Sequence, residues 1–321
     1  MSIIPEWIKW KQPVPQQKDQ KDQQVQYFKL PAIKDVNVKY QVNCDMYDHW
    51  RVTDQLISSG SYGKVVTVCD ANEVDNCDYV AKEVLFYETP EKKWFDDKWY
   101  HNHFIGEAMI SQYAGKNKFG IPVHGYFLCD GGRRGVMIQN RFDGTLNRHG
   151  LKLTAADGMY LAGLIKRMHA CGIFHQDLFA KNVMFRDRKE AGQVPRRQFR
   201  IIDFGLSVVF DKGVPPQLRA IDYITLMRDI PVPAVQMQLY NVSVRENGLK
   251  NHEQAEKWLN SRDKLCGADL FLLNHLPDYL YYFYGPAISI LMAWSTRCNK
   301  DNYVKIMNLI QKRLKQKNII V

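Results

Sequence analysis

The stretch that decides the fold reads HQDLFAKN at residues 175–182, and it is followed by IIDFG at residues 201–205. The first segment comes after an apolar helical pattern, and the second ends a predicted strand. A loop aspartate such as Asp177 can orient a hydroxyl group or accept its proton. Asn182 and Asp203 supply hard oxygen ligands, which suit Mg²⁺ better than zinc. The two segments together predict a loop-built site for metal-assisted chemistry on a hydroxyl group.

Upstream, residues 57–65 (ISSGSYGKV) place two glycines in a turn between two predicted strands. Glycine lets backbone N–H groups approach phosphate oxygens because no Cβ stands in the way. An ordinary hairpin carries the same pattern, so this segment alone does not decide the function.

A lysine and a glutamate follow on neighbouring predicted elements. Lys82 ends the apolar run VAK, and a buried ammonium group needs an anionic partner. Glu107 lies within the helical pattern of residues 104–113 and is the natural candidate. Taken alone, Lys82 also fits a strand edge that faces water, and Glu107 also fits an exposed helix face. The acidic residues that compete for Lys82 are Glu83, Glu88 and Glu91.

The order of the periodic segments predicts an α+β fold. Short β-rich runs and one helix come first, and after Gly144 the chain is mostly helical, with Thr154 as a predicted helix N-cap. We therefore expect a small antiparallel β-rich N-terminal lobe with one helix and a larger α-rich C-terminal lobe. The predicted strands lie at residues 55–57, 64–69, 79–84, 123–128, 135–140, 183–185 and 199–202. The predicted domains are an N-terminal extension with a polar linker (1–50), the N-terminal lobe and hinge (51–143) and the C-terminal lobe (144–321).

The signals occur in the order glycine loop, strand lysine, helix glutamate, HxDxxxxN and DFG, which is the signature order of protein kinases. From about residue 52 to residue 225 the chain therefore resembles the protein-kinase superfamily. The resemblance implies a bilobal fold and an ATP- and Mg²⁺-dependent phosphotransferase activity.

The resemblance also implies a role for each matching residue. Asp177 would act on the acceptor hydroxyl, and Lys82, paired with Glu107, would contact the nucleotide phosphates. Asn182 and Asp203 would hold Mg²⁺. The implied catalytic residues are Asp177, Lys82, Glu107 and Lys181. The implied nucleotide-binding residues are Ile57, Ser58, Ser59, Gly60, Ser61, Tyr62, Gly63, Lys64, Val65, Ala81, Lys82, Asn140 and Asp143.

Three residues depart from the family pattern. Ser58 stands where the first glycine of the loop is usual, so we expect weaker phosphate contacts. Gln176 replaces an arginine that pairs with a phosphorylated activation loop, so activation by loop phosphorylation is not expected. Phe179 stands where serine/threonine kinases carry a lysine, and Lys181 can supply that charge instead.

The activation segment departs further. No Ala-Pro-Glu closes it, and Asp222 follows Asp203 by 19 residues. Asp222 is similar to the buried helix aspartate that braces the catalytic loop in this superfamily. Such a short segment resembles atypical kinases: the RIO family, the small kinase of the tRNA-threonylcarbamoylation complex and bacterial lipopolysaccharide-sugar kinases. Compact kinases of this kind also occur in large DNA viruses.

Three functional hypotheses follow. The first is a kinase that transfers phosphate to Ser or Thr hydroxyls of a protein substrate. The second is a kinase for a small-molecule, sugar or RNA-associated acceptor, which the short activation segment favours. The third is a non-catalytic nucleotide-binding scaffold, which the departures at Ser58, Gln176 and Phe179 favour.

Composition narrows the setting. The 321 residues carry a net charge of +10, which favours acidic partners, although no motif indicates nucleic acid. Seven cysteines without a CxxC pair predict a reducing, intracellular and cytoplasmic environment, in a host cell or virion if the chain is viral. The N-terminus lacks the apolar segment of a secretion signal. Residues 279–296 are uncharged but broken by Gly-Pro, so we expect buried helices there and no membrane span.

Overall fold

The computed structural model describes the middle of the chain. The polar tract expected at residues 14–26 lies outside the described residues except for Gln26, which begins a short strand, and the uncharged segment at 279–296 lies wholly outside them. The described residues are 26–28, 38–40, 44, 49–60, 63–72, 76–85, 97–130, 133–188, 196–210, 213–214 and 216–247.

The first part of the chain is built around a five-stranded antiparallel sheet and one helix. Before the sheet, β1 (Gln26–Phe28) and β2 (Val38–Tyr40) form a separate two-stranded pair. The sheet has the strand order β3-β4-β5-β7-β6, and the helix α1 lies in sequence between β5 and β6. The elements are β3 (Trp50–Gly60), β4 (Gly63–Asp70), β5 (Tyr79–Leu85), α1 (Asp97–Lys116), β6 (Val123–Cys129) and β7 (Arg134–Asn140).

Alternating apolar residues give this sheet its core. Val66 and Val68 on β4 and Val136 and Ile138 on β7 are buried in one cluster, as the two-residue period of a strand requires. On β7, a Cβ at Gly135 would meet the ring of Phe104 at 2.8 Å, so a glycine there lets α1 pack closely. The strands and the helix extend beyond their predicted ends because hydrogen bonding continues past the apolar residues that marked them in the sequence.

The second part of the chain combines helices with short strand pairs. Thr154 caps α2 as predicted: its hydroxyl accepts from Asp157 N at 3.3 Å, and its own N–H donates to the Asp157 carboxylate at 2.7 Å. The strands form one sheet of order β11-β10-β8 and one pair of β12 with β9, all antiparallel. The elements are β8 (Gly144–Thr145), α2 (Ala155–Ala170), β9 (Ile173–Phe174), β10 (Val183–Arg188), β11 (Arg196–Ile201), β12 (Val208–Val209), α3 (Pro216–Asp229) and α4 (Pro233–Asn247).

The described residues belong to two compact units. The sheet unit contains residues 26–146 and Lys181–Gly205, and the helical unit contains Asn147–Ala180 and residues 206–247. The mixed α+β class with antiparallel sheets is confirmed. The lobe boundaries predicted at residues 50 and 143 stay a prediction.

Four cysteines pair in the sheet unit. Cys44 is disulfide-bonded to Cys129 at the end of β6, and Cys69 is bonded to Cys77 across the loop from β4 to β5. Cysteine spacing indicated no dense disulfide framework and favoured a reducing setting, whereas disulfide pairs are typical of oxidising environments. These two disulfides therefore do not support the expected reducing setting, and the cellular location stays a prediction. Cys171 is free.

None of the helices in the described part of the chain combines the length and the apolar character that crossing a membrane requires.

Candidate active site

One lysine joins three elements of the sheet unit. Lys82 lies on β5, opposite Val65 of β4 and Met137 of β7. Its Nζ is 2.5 Å from Glu107 Oε1 on α1 and 2.9 Å from Oδ1 of Asp203, which follows β11. The structure thus brings together three of the predicted site residues, two of them 121 residues apart in sequence.

The charges around Lys82 fix its protonation state. Burial lowers the pKa of Lys82, but the negative charges of Asp203 and Glu107, with their hydrogen bonds, outweigh burial and raise this pKa well above its ordinary value. The side chain therefore stays cationic at neutral pH. A fixed cation held by two carboxylates can also attract the oxygens of a phosphate group.

Asn182 and Asp203 lie at the base of the β10–β11 hairpin. Val183 pairs with Ile201, and Ile202 N donates to Asn182 O at 2.9 Å, so the two predicted metal ligands come from adjoining segments. Asp203 has a φ of 63°, a left-handed conformation that is uncommon for aspartate. Its side chain is 47% exposed. The amide and carboxylate oxygens of this pair are the hard ligands that Mg²⁺ prefers, so these residues fit the ion.

The glycine loop is the turn between β3 and β4, where Gly60 pairs with Gly63. Gly63 has a φ of 155°, and a Cβ there would lie 1.8 Å from the carbonyl oxygen of Glu83 on β5. Glycine is thus required by packing against β5, in addition to the phosphate approach predicted from sequence. Ser61 and Tyr62 lie outside the described residues. The other predicted residues of this segment are exposed at Ile57, Ser58, Ser59 and Lys64 and partly buried at Val65.

The remaining predicted nucleotide residues have contacts within the sheet unit. Ala81 is fully buried on β5. Asn140 Oδ1 lies 3.1 Å from His124 Nε2, and the Asp143 carboxylate accepts a hydrogen bond from Asp187 N at 2.7 Å. Asn140 and Asp143 therefore have structural contacts, and their roles toward a nucleotide stay predictions.

The predicted catalytic loop, residues 175–182, is braced at its beginning by Asp222 on α3. This buried carboxylate accepts hydrogen bonds from His175 N and Gln176 N, both at 3.0 Å. The same carboxylate lies 2.9 Å from Nε2 of His169 on α2. The bracing position predicted for Asp222 is therefore found in the structure. Asp177 follows directly and is partly buried.

Sequence reasoning missed His169. It lies on the buried face of α2 beside Ile165 and Met168, and a buried imidazole needs a polar partner. A histidine on an apolar helix face was therefore the signal. Of the predicted catalytic and metal residues, Asp177 lies in the helical unit, and Lys82, Glu107, Lys181, Asn182 and Asp203 lie in the sheet unit.

The segment after Gly205 is attached to the beginning of the catalytic loop and to the residues just before it. The side-chain amide of Gln176 donates to Leu206 O at 2.6 Å, and β12 pairs with β9. Phe210 N donates to Gly172 O at 2.8 Å, while a Cβ at Gly172 would lie 2.1 Å from Phe210 O. Glycine at 172, with a φ of 81°, is thus needed for this close approach.

One family model and two curated protein kinases match parts of the chain. Residues 144–213 match the model of the lipopolysaccharide kinase (Kdo/WaaP) family. Over 86 residues, the chain is 35% identical to calcium-dependent protein kinase 9 of Oryza sativa subsp. japonica. The aligned stretch is 27% of this chain and 13% of that protein. Over 115 residues, it is 29% identical to calcium-dependent protein kinase 11 of the same organism, which covers 35% of this chain and 18% of that protein.

The chain spans less than a fifth of the length of these curated relatives. The family match contains the catalytic loop, the β10–β11 hairpin and the DFG segment, which are the parts that carry the resemblance found in the sequence. That resemblance is confirmed at the level of the superfamily. Together these matches support a place for the chain in the protein-kinase-like superfamily, as an atypical member.

Proposed function

We propose that the chain is an ATP- and Mg²⁺-dependent phosphotransferase that acts on a hydroxyl group. The observation that carries the proposal is the position of Lys82, whose ammonium group contacts both Glu107 and Asp203. A lysine held in this way is ready to contact nucleotide phosphates beside a metal-binding carboxylate.

Each residue then has a defined task. Asn182 and Asp203 would hold Mg²⁺, which would neutralise phosphate charge. Lys82 holds the nucleotide phosphates, and Glu107 keeps Lys82 in place. Asp177 orients the acceptor hydroxyl and takes up its proton, and Lys181 supplies positive charge beside the transferred group. Positioning and charge neutralisation account for most of phosphoryl-transfer catalysis, and these are what the six residues provide.

The first candidate acceptor is a Ser or Thr hydroxyl of a protein, since both matched relatives are named as protein kinases. The second is a sugar hydroxyl. It is favoured by the match of residues 144–213 to a lipopolysaccharide kinase family and by the short connection from β12 to α3, which leaves little room for a peptide-docking shelf.

The test measures transfer from labelled ATP with Mg²⁺ to a basic protein mixture and, separately, to deacylated lipopolysaccharide core sugar. Wild type is compared with Asp177→Ala. The matched control is Asp78→Asn, which removes a surface carboxylate paired with Arg186. We expect labelling by wild type and Asp78→Asn and a loss of at least about 10³-fold in Asp177→Ala.

The labelled acceptor decides between the two candidates. Equal labelling by wild type and Asp177→Ala would reject Asp177 as the catalyst. Nucleotide binding without any turnover, to either acceptor or to water, would favour the non-catalytic scaffold over both kinases.

A further inference from the structure

The helix α3 carries a second carboxylate that contacts the catalytic loop. Asp229 follows Asp222 by seven residues, so both lie on the same face of the helix, about 10 Å apart along its axis. Asp222 accepts hydrogen bonds from the beginning of the loop, at His175 N and Gln176 N. Asp229 Oδ2 accepts a hydrogen bond from Ala180 N, at 2.6 Å.

The bond to Ala180 satisfies a backbone donor that solvent does not reach. Ala180 is 1% exposed, and a buried N–H group without an acceptor is strongly unfavourable. A carboxylate makes this a charge-assisted hydrogen bond, which is stronger than a neutral one. The position of Ala180 therefore depends on the position of Asp229.

Asp177 lies between the two anchored points. Gln176 before it is held by Asp222, and Ala180 after it is held by Asp229. Within this short span, Phe179 N donates to Asp177 O at 2.9 Å, and the Leu178 side chain is fully buried. The backbone at Asp177 is therefore fixed from both sides, and its side-chain torsions are the main freedom that remains.

We propose that Asp229 is a positioning residue for Asp177: it holds the end of the catalytic loop, as Asp222 holds its beginning. The catalytic part of this inference rests on the proposed function. Asp229 itself does not contact the reacting groups. Without the Asp229 carboxylate, the Ala180 N–H turns to another acceptor, and the Asp177 side chain is no longer held in one orientation.

Three variants separate this role from general stability. Asp229→Asn keeps a side-chain oxygen that can accept from Ala180 N, whereas Asp229→Leu removes the acceptor at similar volume. Arg228→Gln changes the neighbouring exposed residue of the same helix turn and serves as the control. All are made in the full chain and checked for cooperative thermal unfolding.

The first measurement is hydrogen–deuterium exchange of the peptide covering residues 175–182, which requires no enzymatic activity. We expect faster exchange in Asp229→Leu and wild-type protection in Asp229→Asn and Arg228→Gln. Unchanged protection in Asp229→Leu would overturn the inference.

The second measurement is Mg²⁺-dependent hydrolysis of ATP, with water as the acceptor. We expect kcat to fall by about 10- to 100-fold in Asp229→Leu with little change in the KM for ATP, because a misplacement near 1 Å can reduce a rate by about 10²-fold. Asp229→Asn should recover most of kcat. A raised KM with unchanged kcat, or no recovery in Asp229→Asn, would overturn the positioning role. If wild type binds ATP but never turns it over, the proposed function fails, while the exchange result still decides whether Asp229 anchors the loop.

Discussion

Replacing Lys82 by methionine tests whether the ion pair with Glu107 also supports the fold. The Glu107 side chain is 7% exposed and would lose the ammonium group that lies 2.5 Å away. Removing one member of a buried ion pair destabilises a protein by about 3–5 kcal/mol, because the other charge stays desolvated. The Lys82 side chain is 26% exposed, so water can partly replace it. We therefore expect Lys82→Met to lower the free energy of unfolding by about 3 kcal/mol, near the lower end of this range.

The double variant Lys82→Met with Glu107→Gln removes both charges. A neutral pair of similar size often restores stability, so we expect the double variant within about 1 kcal/mol of wild type. On the proposed function, phosphotransfer should nevertheless be lost in both variants, because each lacks the cation proposed to contact the phosphates. The double variant would then be stable but inactive, as expected if Lys82 contributes to both stability and activity.

The assay is urea denaturation at pH 7.5, followed by tryptophan fluorescence. The control is Lys64→Met: Lys64 lies 3.5 Å from Glu83, but its side chain is 48% exposed. Glu83 is buried, yet it keeps a second partner in Arg134, whose Nη1 lies 3.4 Å from the same carboxylate. Loss of an exposed partner costs about 0–1 kcal/mol, so this control should unfold close to wild type. The reasoning is refuted if Lys82→Met unfolds at the same urea concentration as Lys64→Met, or if the double variant is no more stable than the single one.

Three other predictions follow from single features. Gly63→Ala should lower the free energy of unfolding by more than about 1 kcal/mol in urea denaturation, since the new Cβ would meet the β5 backbone at a positive φ. Its control is Gly163→Ala in α2, where a Cβ meets nothing within 4 Å; it should raise the free energy of unfolding by up to about 1 kcal/mol. Because the folded-state pKa of Lys82 is raised, its contribution to stability is complete below its ordinary pKa of about 10.4 and is lost as the pH rises beyond it. The stability difference between wild type and Lys82→Met with Glu107→Gln should thus be flat from about pH 7 to 9, and a slope there would contradict this assignment. Replacing Cys44 and Cys129 by alanine should lower the free energy of unfolding by about 4–5 kcal/mol under non-reducing conditions, since their disulfide closes a loop of 85 residues. The check is an equal loss when reductant is added to a variant with alanine at Cys69 and Cys77, in which Cys44–Cys129 is the described disulfide that remains.

The contact between Lys82 and Glu107 could be predicted because each residue is locally anomalous. A charged residue inside an apolar strand or helix face needs a partner, and the order of the motifs indicated which one. The approach of Asp203 to the same lysine could be expected from the resemblance alone, since 121 residues separate the two and no periodicity connects them. Local pattern thus identified the residues, and the family signature supplied their long-range pairing.

Other contacts could not be predicted from the sequence because one partner is a backbone group. Asp229 accepts from Ala180 N, and every residue except proline has such a donor. The disulfide between Cys44 and Cys129 was missed for a different reason. Cysteine spacing is informative for short metal or redox motifs, whereas this pair forms because two distant segments meet beside the sheet core.

The contact made by the Gln176 side chain explains why a glutamine can stand where the family has an arginine. Its side chain is buried, and its amide donates to Leu206 O at 2.6 Å. An arginine there would bring a permanent charge into a buried position and would need an anion, such as a phosphorylated side chain, as its partner. A glutamine needs only a carbonyl oxygen. The bond from Phe210 N to Gly172 O holds the same segment with uncharged groups, so its attachment requires no phosphate. Independence from loop phosphorylation stays a prediction, and these neutral contacts are its structural reason.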